Sequence, residues 1–374
     1  MLSAVPYYPL QRLNARFEPA LSTAVAEVVG SGWYLHGRRT QEFEQHFAEY
    51  SGVRHAVACA NGLDALTLVL MAWKRRFAWQ TDDEVVVPAF TFAATGLAVV
   101  RAGLRPVWAE VGDDALLSTH ALHRFLTPRT RVVVPVHLYG RLCDMARLKA
   151  LQQKHKFLIL EDAAQAHGAR RDNYTAGHLG EAAALSFYPT KNLGALGDAG
   201  MVMTNDEALA RDVRMLANYG APAKYQHEAA GLNSRMDEIQ AAVLDVKLPH
   251  LTADNARRAE IAAHYRSEIR NTHIHLLPEE APSSHPVNHI FPVFCRQPEA
   301  LRAYLAGCHI ETLRHYPLPL HKQTAFDPYP TTPLPTSELL AQTQLSLPMH
   351  PLLTEEEVGY ICKCINEYSI NDLP

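Results

Sequence analysis

Lys191 stands in SFYPTKNLGALGDAG, residues 186–200, a stretch of residue types suited to presenting an amine rather than solvating it. Upstream, EAAALSF at 181–187 is small and apolar enough for a buried strand, and Pro189 ends it before the lysine. Gly194, Gly197 and Gly200 then allow close backbone approach and positive φ. A lysine on such a connection can face a pocket, where its amine forms imines with carbonyls. The alternative is a solvated lysine on a plain turn, and this window leaves both open.

Three further windows carry chemistry. Glu161, Asp162, Gln165 and His167 fall just beyond the apolar run 157–160, at the edge of a strand where ligands sit in α/β sheets. Asp162 has the options of metal ligand, catalytic acid or fixed negative charge beneath a protonated ring nitrogen. No nearby residues complete a metal set with His167, which favours the fixed charge for Asp162 and a packed, hydrogen-bonded role for His167. Ala60-Asn61-Gly62-Leu63 places free N–H groups at a helix start, where an anion such as phosphate is favoured, although Asn61 could be only a cap. Phe90 and Phe92 leave the next strand, and either ring could stack on a planar cofactor or join the core.

The elements that must position these groups alternate in type. Strands are expected at 55–59, 84–87, near 106–110, within RVVVPVHLYG and KFLILED, at 181–187 and in AGMVMT, with helices between them. The two near-continuous apolar runs are typical of covered parallel strands. Helices are also expected before Gly30, in RTQEFEQHFAEYSG and in the helix-like THALHRFLT. WYLHG at 33–37 reads as a turn, with packing favoured for its aromatic rings. Residues 221–237 read as a polar loop, and the helical stretch that follows is interrupted at Pro249. Two domains follow: an N-terminal arm with a large α/β domain over 1–250, and a smaller α+β domain over 251–374, covered by the amphipathic TEEEVGYICKCINEY.

With 374 residues and 48% hydrophobic content, the chain can bury a large core. A net charge of -4 and scattered basic residues give no nucleic-acid stripe. Cys59, Cys143, Cys295, Cys308, Cys362 and Cys364 form no repeated framework, so reduced cysteines and no bound metal are expected. No leader pattern or membrane-length apolar run is visible, which favours a cytoplasmic location.

The dinucleotide fingerprint and Walker spacing are both missing. A phosphate at a helix start, an aromatic platform, an acid for a pyridine nitrogen and an imine-forming lysine together fit pyridoxal phosphate. At this point SFYPTKNLGALGDAG, EDAAQAHG, PVHLYG, GLNSRMDEIQAA and SGWYLHG resemble the DegT/DnrJ/EryC1/StrS sugar aminotransferases, over nearly the whole chain and in the expected order. The resemblance implies a fold-type I pyridoxal phosphate enzyme, with a mostly parallel seven-stranded sheet flanked by helices and a smaller C-terminal domain.

It further implies that Lys191 holds the cofactor as an internal aldimine and acts as acid and base, with pyridoxamine phosphate as the alternate form. Asp162 would pair with the pyridine nitrogen, Gln165 with the phenolic oxygen, and Phe92 would cover one ring face. Ser186, Gly62 and Leu63 would hold the phosphate, joined by Asn233 from the other subunit of a homodimer. L-glutamate would be the donor. SFYP-x-KNLGALGD, HLYG and NYG before Lys224-Tyr225 are most similar to the branch that aminates C3 of dTDP-linked 3-keto-6-deoxyhexoses. In that branch Tyr188, His315 and Tyr316 surround the hexose, with Tyr225 from the partner subunit; His315 could equally be a satisfied structural histidine. Other branches act at C4 or on UDP-linked sugars. Thr190 replaces a usual glycine, and PAFTFAAT replaces PxNTYxAT.

Overall fold

The computed structural model describes residues 4–330 and 332–369. In chain order the strands of its first half are β1 (His55–Cys59), β2 (Glu84–Pro88), β3 (Arg105–Ala109), β4 (Thr130–Val133), β5 (Leu158–Asp162), β6 (Arg170–Arg171), β7 (Tyr174–Thr175), β8 (Ala182–Ser186) and β9 (Gly200–Thr204). Seven of them form one sheet in the order β1-β9-β8-β5-β4-β2-β3. Neighbours pair in parallel from β8 through β3, whereas β9 runs antiparallel to both β1 and β8. The short segments 170–171 and 174–175 were not expected, and they belong to a separate ladder.

Alternate side chains of each strand enter opposite cores, because successive residues point to opposite faces. From β8, Ala182 and Ala184 face one core with Leu68 and Val69 of the helix Gly62–Phe77. Ala183 and Leu185 face the other, with Phe43 and Phe47 of the helix Arg38–Ser51. The sheet is therefore covered on both sides, as its near-continuous apolar strands require.

The second half adds β10 (His275–Leu276), β11 (Ser284–His285), β12 (Phe291–Phe294) and β13 (Gln344–Leu347). β10, β12 and β13 make a small antiparallel sheet. A third core gathers Phe291, Val293 and Leu345 with Ile261 and Tyr265, and the helix Glu355–Glu367 closes it with Val358, Ile361 and Ile365. Val5 of the N-terminal arm is buried in that core. The helical stretch after the polar loop runs Glu238–Lys247, a 3-10 turn at Leu248–His250 and Leu251–Glu268, so the interruption falls at Pro249.

Two expectations need correction. THALHRFLT forms only the 3-10 turn Leu122–Arg124, because Pro128 leaves too little chain to repay helix nucleation. The rings of WYLHG do not pack within the chain: Trp33 and Tyr34 are 63% and 51% exposed. The helix Met145–His155 falls between β4 and β5 as expected, whereas the helix Pro335–Thr343 and strand β13 were not anticipated. Among the described residues no helix is long and apolar enough to cross a membrane.

Candidate active site

The site lies where β2, β5 and β8 end and the chain turns into loops and helices. Asn61 accepts the Asp64 N–H in its side chain at 2.8 Å, capping the helix Gly62–Phe77. That bond takes the third N–H of the helix, and among the described residues no partner meets the Gly62 and Leu63 N–H groups. A side chain at Gly62 would put its Cβ 2.7 Å from Ser186 Cβ, so the open helix start directly abuts the end of β8. Gly200, paired with Ser186 across the sheet, is equally constrained: a Cβ there would lie 2.3 Å from the Asn61 backbone. Two N–H donors without a partner among the described residues, a hydroxyl and a helix start form a cradle of the sign and donor chemistry for a phosphate.

Asp162 is the last residue of β5 and is 6% exposed. Thr95 Oγ1 donates to its Oδ2 at 2.8 Å, and the Ala164 N–H donates to Oδ1 at 3.2 Å. Burial raises its carboxyl above the usual value, opposed by Thr95, Ala164 and the charge of Lys191. A carboxylate so desolvated gains from a cation or a ring N–H brought against it.

Lys191 follows β8 on the expected loop, its N–H donating to the Tyr188 carbonyl at 2.8 Å. Among the described residues its Nζ has neither a hydrogen bond nor an ion pair, yet the charge of Asp162 reaches it. Burial pulls the ammonium down to about 8, against the opposing pull of Asp162. A lysine desolvated in this way is far readier to act as a nucleophile and base than a surface one. The adjacent Asn192 anchors the loop: its Nδ2 donates to Asn255 Oδ1 at 2.8 Å and to the Val287 carbonyl at 2.9 Å, and its Oδ1 lies 3.0 Å from His289 Nδ1.

Gln165 Oε1 accepts the Tyr139 N–H at 2.6 Å, and its Nε2 donates to the Tyr316 hydroxyl at 3.2 Å. Burial, reinforced by Asp162, raises the Tyr316 phenol above its ordinary value. The Phe92 ring lies 5.4 Å from that of Tyr316 and is 55% exposed, whereas Phe90 is buried in the core. Of the two candidate rings, Phe92 alone faces the site. The segment carrying His315 and Tyr316 reaches this edge because Leu320 donates its N–H to the Ala89 carbonyl at 2.8 Å and Phe326 packs on Trp108 at 4.9 Å.

The structure thus brings Lys191, Asp162, Gln165, Phe92 and Tyr316 into one neighbourhood, with His315 beside Tyr316 and the Gly62–Ser186 cradle at the same sheet edge. Tyr188 adjoins Lys191 through its backbone, but its side chain is 52% exposed. Tyr225 is 84% exposed with the Lys224 ammonium 5.2 Å from its ring centroid, while Asn233 is exposed and bridged to Asn218. Among the described residues no hydrogen bond or ring contact joins either side chain to the other site residues. His167 is buried and packed on Phe187 at 5.4 Å, as expected, and its expected hydrogen bond is a loose one with the Ser186 backbone. Burial and the Lys191 charge pull its imidazole down to about 3, so it stays neutral.

Thr95, Tyr139 and Asn192 went unassigned in the sequence, although they sit within PAFTFAAT, PVHLYG and SFYPTKNLGALGDAG. Their signal was position beside a strand end, without an unusual residue type to mark it. A buried carboxylate, a lysine of lowered pKa, an exposed ring and a donor-lined helix start together fit pyridoxal phosphate in their donor chemistry.

Residues 17–366 match the DegT/DnrJ/EryC1/StrS aminotransferase family. The chain is 41% identical to the dTDP-3-amino-3,6-dideoxy-alpha-D-galactopyranose transaminase of Aneurinibacillus thermoaerophilus, over 97% of this chain and 99% of that one. It is 39% identical to the UDP-N-acetyl-3-dehydro-alpha-D-glucosamine 3-aminotransferase of Acidithiobacillus ferrooxidans, over 96% of each. Among solved structures, that of S. venezuelae DesV in complex with a ketimine intermediate superposes with a TM-score of 0.93 at 41% identity, covering 98% of both chains.

Proposed function

The chain belongs to the DegT/DnrJ/EryC1/StrS aminotransferase family, and from that premise we propose that it transfers the amino group of L-glutamate to C3 of a dTDP-linked 3-keto-6-deoxyhexose, releasing 2-oxoglutarate. The observation that carries this reading is the 41% identity, over 97% of the chain, to a transaminase of a dTDP-linked 3-amino sugar. A second reading keeps C3 and changes the nucleotide: the 39% identity to a 3-aminotransferase of a UDP-linked sugar favours it.

Pyridoxal phosphate would supply an electron sink and a carrier for the amino group. Lys191 would tether it through Nζ, and the same amine, neutral when released, would move the proton at the reacting carbon. Asp162, fixed by Thr95 and Ala164, would hold a proton on the ring nitrogen. Gln165 would orient the phenolic oxygen, Phe92 would cover a ring face, and Gly62, Leu63 and Ser186 would bind the phosphate. Asn233 and Tyr225, exposed on their own chain, would complete the site of a partner subunit in a homodimer. Tyr188, His315 and Tyr316 would contact the hexose.

The test is incubation of the pure protein with glutamate and a panel of dTDP- and UDP-linked 3-keto and 4-keto sugars, with the new amine located by NMR. An amine at C3 of the dTDP sugar is expected. An amine at C4 would overturn the regiochemistry, and turnover confined to UDP sugars would overturn the nucleotide.

A further inference from the structure

The N-terminal arm, residues 4–8, is held to the small domain on both sides of Tyr7. Val5 pairs in parallel with Ile310: its N–H donates to the His309 carbonyl at 2.8 Å, and its carbonyl accepts the Glu311 N–H at 3.0 Å. The Tyr7 N–H donates to Glu311 Oε2 at 2.9 Å. Just beyond, the Tyr8 hydroxyl accepts from Arg258 Nη2 at 3.1 Å, and that buried guanidinium lies 5.8 Å over the Tyr8 ring. The Tyr7 ring, fixed between these anchors, stacks on the His315 imidazole at 5.9 Å with an interplanar angle of 26°.

The backbone of His315 is fixed independently of that stack: its N–H donates to Gln344 Oε1 at 2.7 Å, and its carbonyl accepts the Tyr139 hydroxyl. Its ring has one hydrogen-bond partner among the described residues, Ser346 Oγ at 2.9 Å from Nδ1. The χ2 torsion of a histidine is broad, so a bond to one nitrogen pins that corner and leaves the ring plane free to swing about it. A ring stacked on one face restricts the swing. On the other side of the segment, Tyr316 meets the imidazole edge-on at 5.5 Å and 83°, and lies 5.4 Å from Phe92. Four rings therefore run in sequence, Tyr7, His315, Tyr316 and Phe92, from the arm to the site.

We infer that Tyr7 is a positioning residue for the amino acceptor: by stacking on His315 it sets the plane of the imidazole that meets the keto sugar, and so brings the N-terminal arm into the sugar half of the site. This rests on the reading that His315 faces the hexose. Among the described residues no hydrogen bond or ring contact joins Tyr7 to Lys191, Asp162, Gln165 or the helix start at Gly62. Its effect therefore falls on the sugar and not on glutamate or the cofactor. The ring, rather than the hydroxyl, is what acts, because the contact with His315 is a stack of two faces.

The test compares holoenzyme carrying Tyr7→Leu or Tyr7→Phe with wild type, using glutamate and the keto sugar of the panel that turns over. Tyr7→Leu is expected to raise KM for the keto sugar roughly fivefold more than KM for glutamate, the size of one lost aromatic pair, and to leave cofactor affinity unchanged. Tyr7→Phe, which keeps the ring, is expected to keep the wild-type KM values. On a His315→Ala background Tyr7→Leu is expected to add nothing, because Tyr7 acts on the sugar only through His315. Equal changes in both KM values, an undiminished effect of Tyr7→Leu in the absence of His315, or a Tyr7→Phe protein as impaired as Tyr7→Leu would overturn the inference. A fall in the urea stability of Tyr7→Leu with both KM values unchanged would assign the ring a purely structural role and overturn it too. A keto-sugar KM raised by His315→Ala and unmoved by Tyr7→Leu would overturn the inference alone, whereas one unmoved by His315→Ala would sink the reading that His315 faces the hexose, and the inference with it.

Discussion

If burial at the end of β8 is what makes Lys191 reactive, its amine in the apoprotein should titrate near 8 rather than at the ordinary 10.5. At pH 7 a group with the lower value is roughly 9% neutral and one with the higher value roughly 0.03% neutral, a difference of about 300-fold in reactive amine. Asp162 opposes the downward shift, so Asp162→Asn should move the midpoint lower still. The assay is competitive trace labelling of apoprotein with acetic anhydride from pH 6 to 11, with the Lys191 peptide quantified by mass spectrometry against a free lysine standard. A midpoint near 8 that falls in Asp162→Asn is expected. A midpoint above 10, or one that rises in Asp162→Asn, would refute the claim that desolvation, tempered by Asp162, sets this amine.

Gly62→Ala puts a Cβ 2.7 Å from Ser186 Cβ, and overpacking of that kind should weaken cofactor binding on the order of tenfold or more; unchanged affinity in a titration of apoprotein would remove the cradle from the account. Glu161 is buried, with Oε2 2.7 Å from His137 Nε2 and Oε1 and Oε2 accepting the N–H groups of Gly177, Leu179 and Gly180. Burial pushes its carboxyl up, but His137 and those N–H groups outweigh burial and hold it below 4.5. Glu161→Gln should therefore destabilise the protein by about 3–5 kcal/mol in urea at pH 7. The loss should be full above 4.5 and fade as pH falls through the lower folded value; equal stability of the two proteins at pH 7 would contradict it. Mixing inactive Lys191→Ala and Asn233→Ala proteins should restore roughly a quarter of wild-type activity if sites are shared across a dimer. No recovery, with mixed dimers demonstrated, would place Asn233 outside the partner's site.

The parallel strands were legible because VVVP and LILED bury both faces and so are apolar at every position. Strand β13, Gln344–Leu347, was not: its alternating QLSL pattern mimics a surface segment, whereas Gln344 and Ser346 are buried in a polar knot that only tertiary structure assembles. The reversed direction of β9 was likewise invisible, since GMVMT is apolar in either orientation and no crossover helix intervenes after β8. Within the site, Lys191 and Asp162 announced themselves as charged residues at the ends of apolar runs. Thr95, Tyr139 and Asn192 did not, because each works through a partner far away in sequence: Asp162, Gln165 with His315, and Asn255 with His289. Phe90 and Phe92 were indistinguishable by type, and the turn between them sends one into the core and the other to the site.

The central claim is that Lys191 Nζ is the amine that holds pyridoxal phosphate. Borohydride reduction of the holoenzyme, followed by digestion and peptide mass spectrometry, addresses it directly. The reduced cofactor should be found on the peptide containing Lys191 and be lost in Lys191→Ala; a stable adduct on any other lysine, with Lys191 unmodified, would contradict the account.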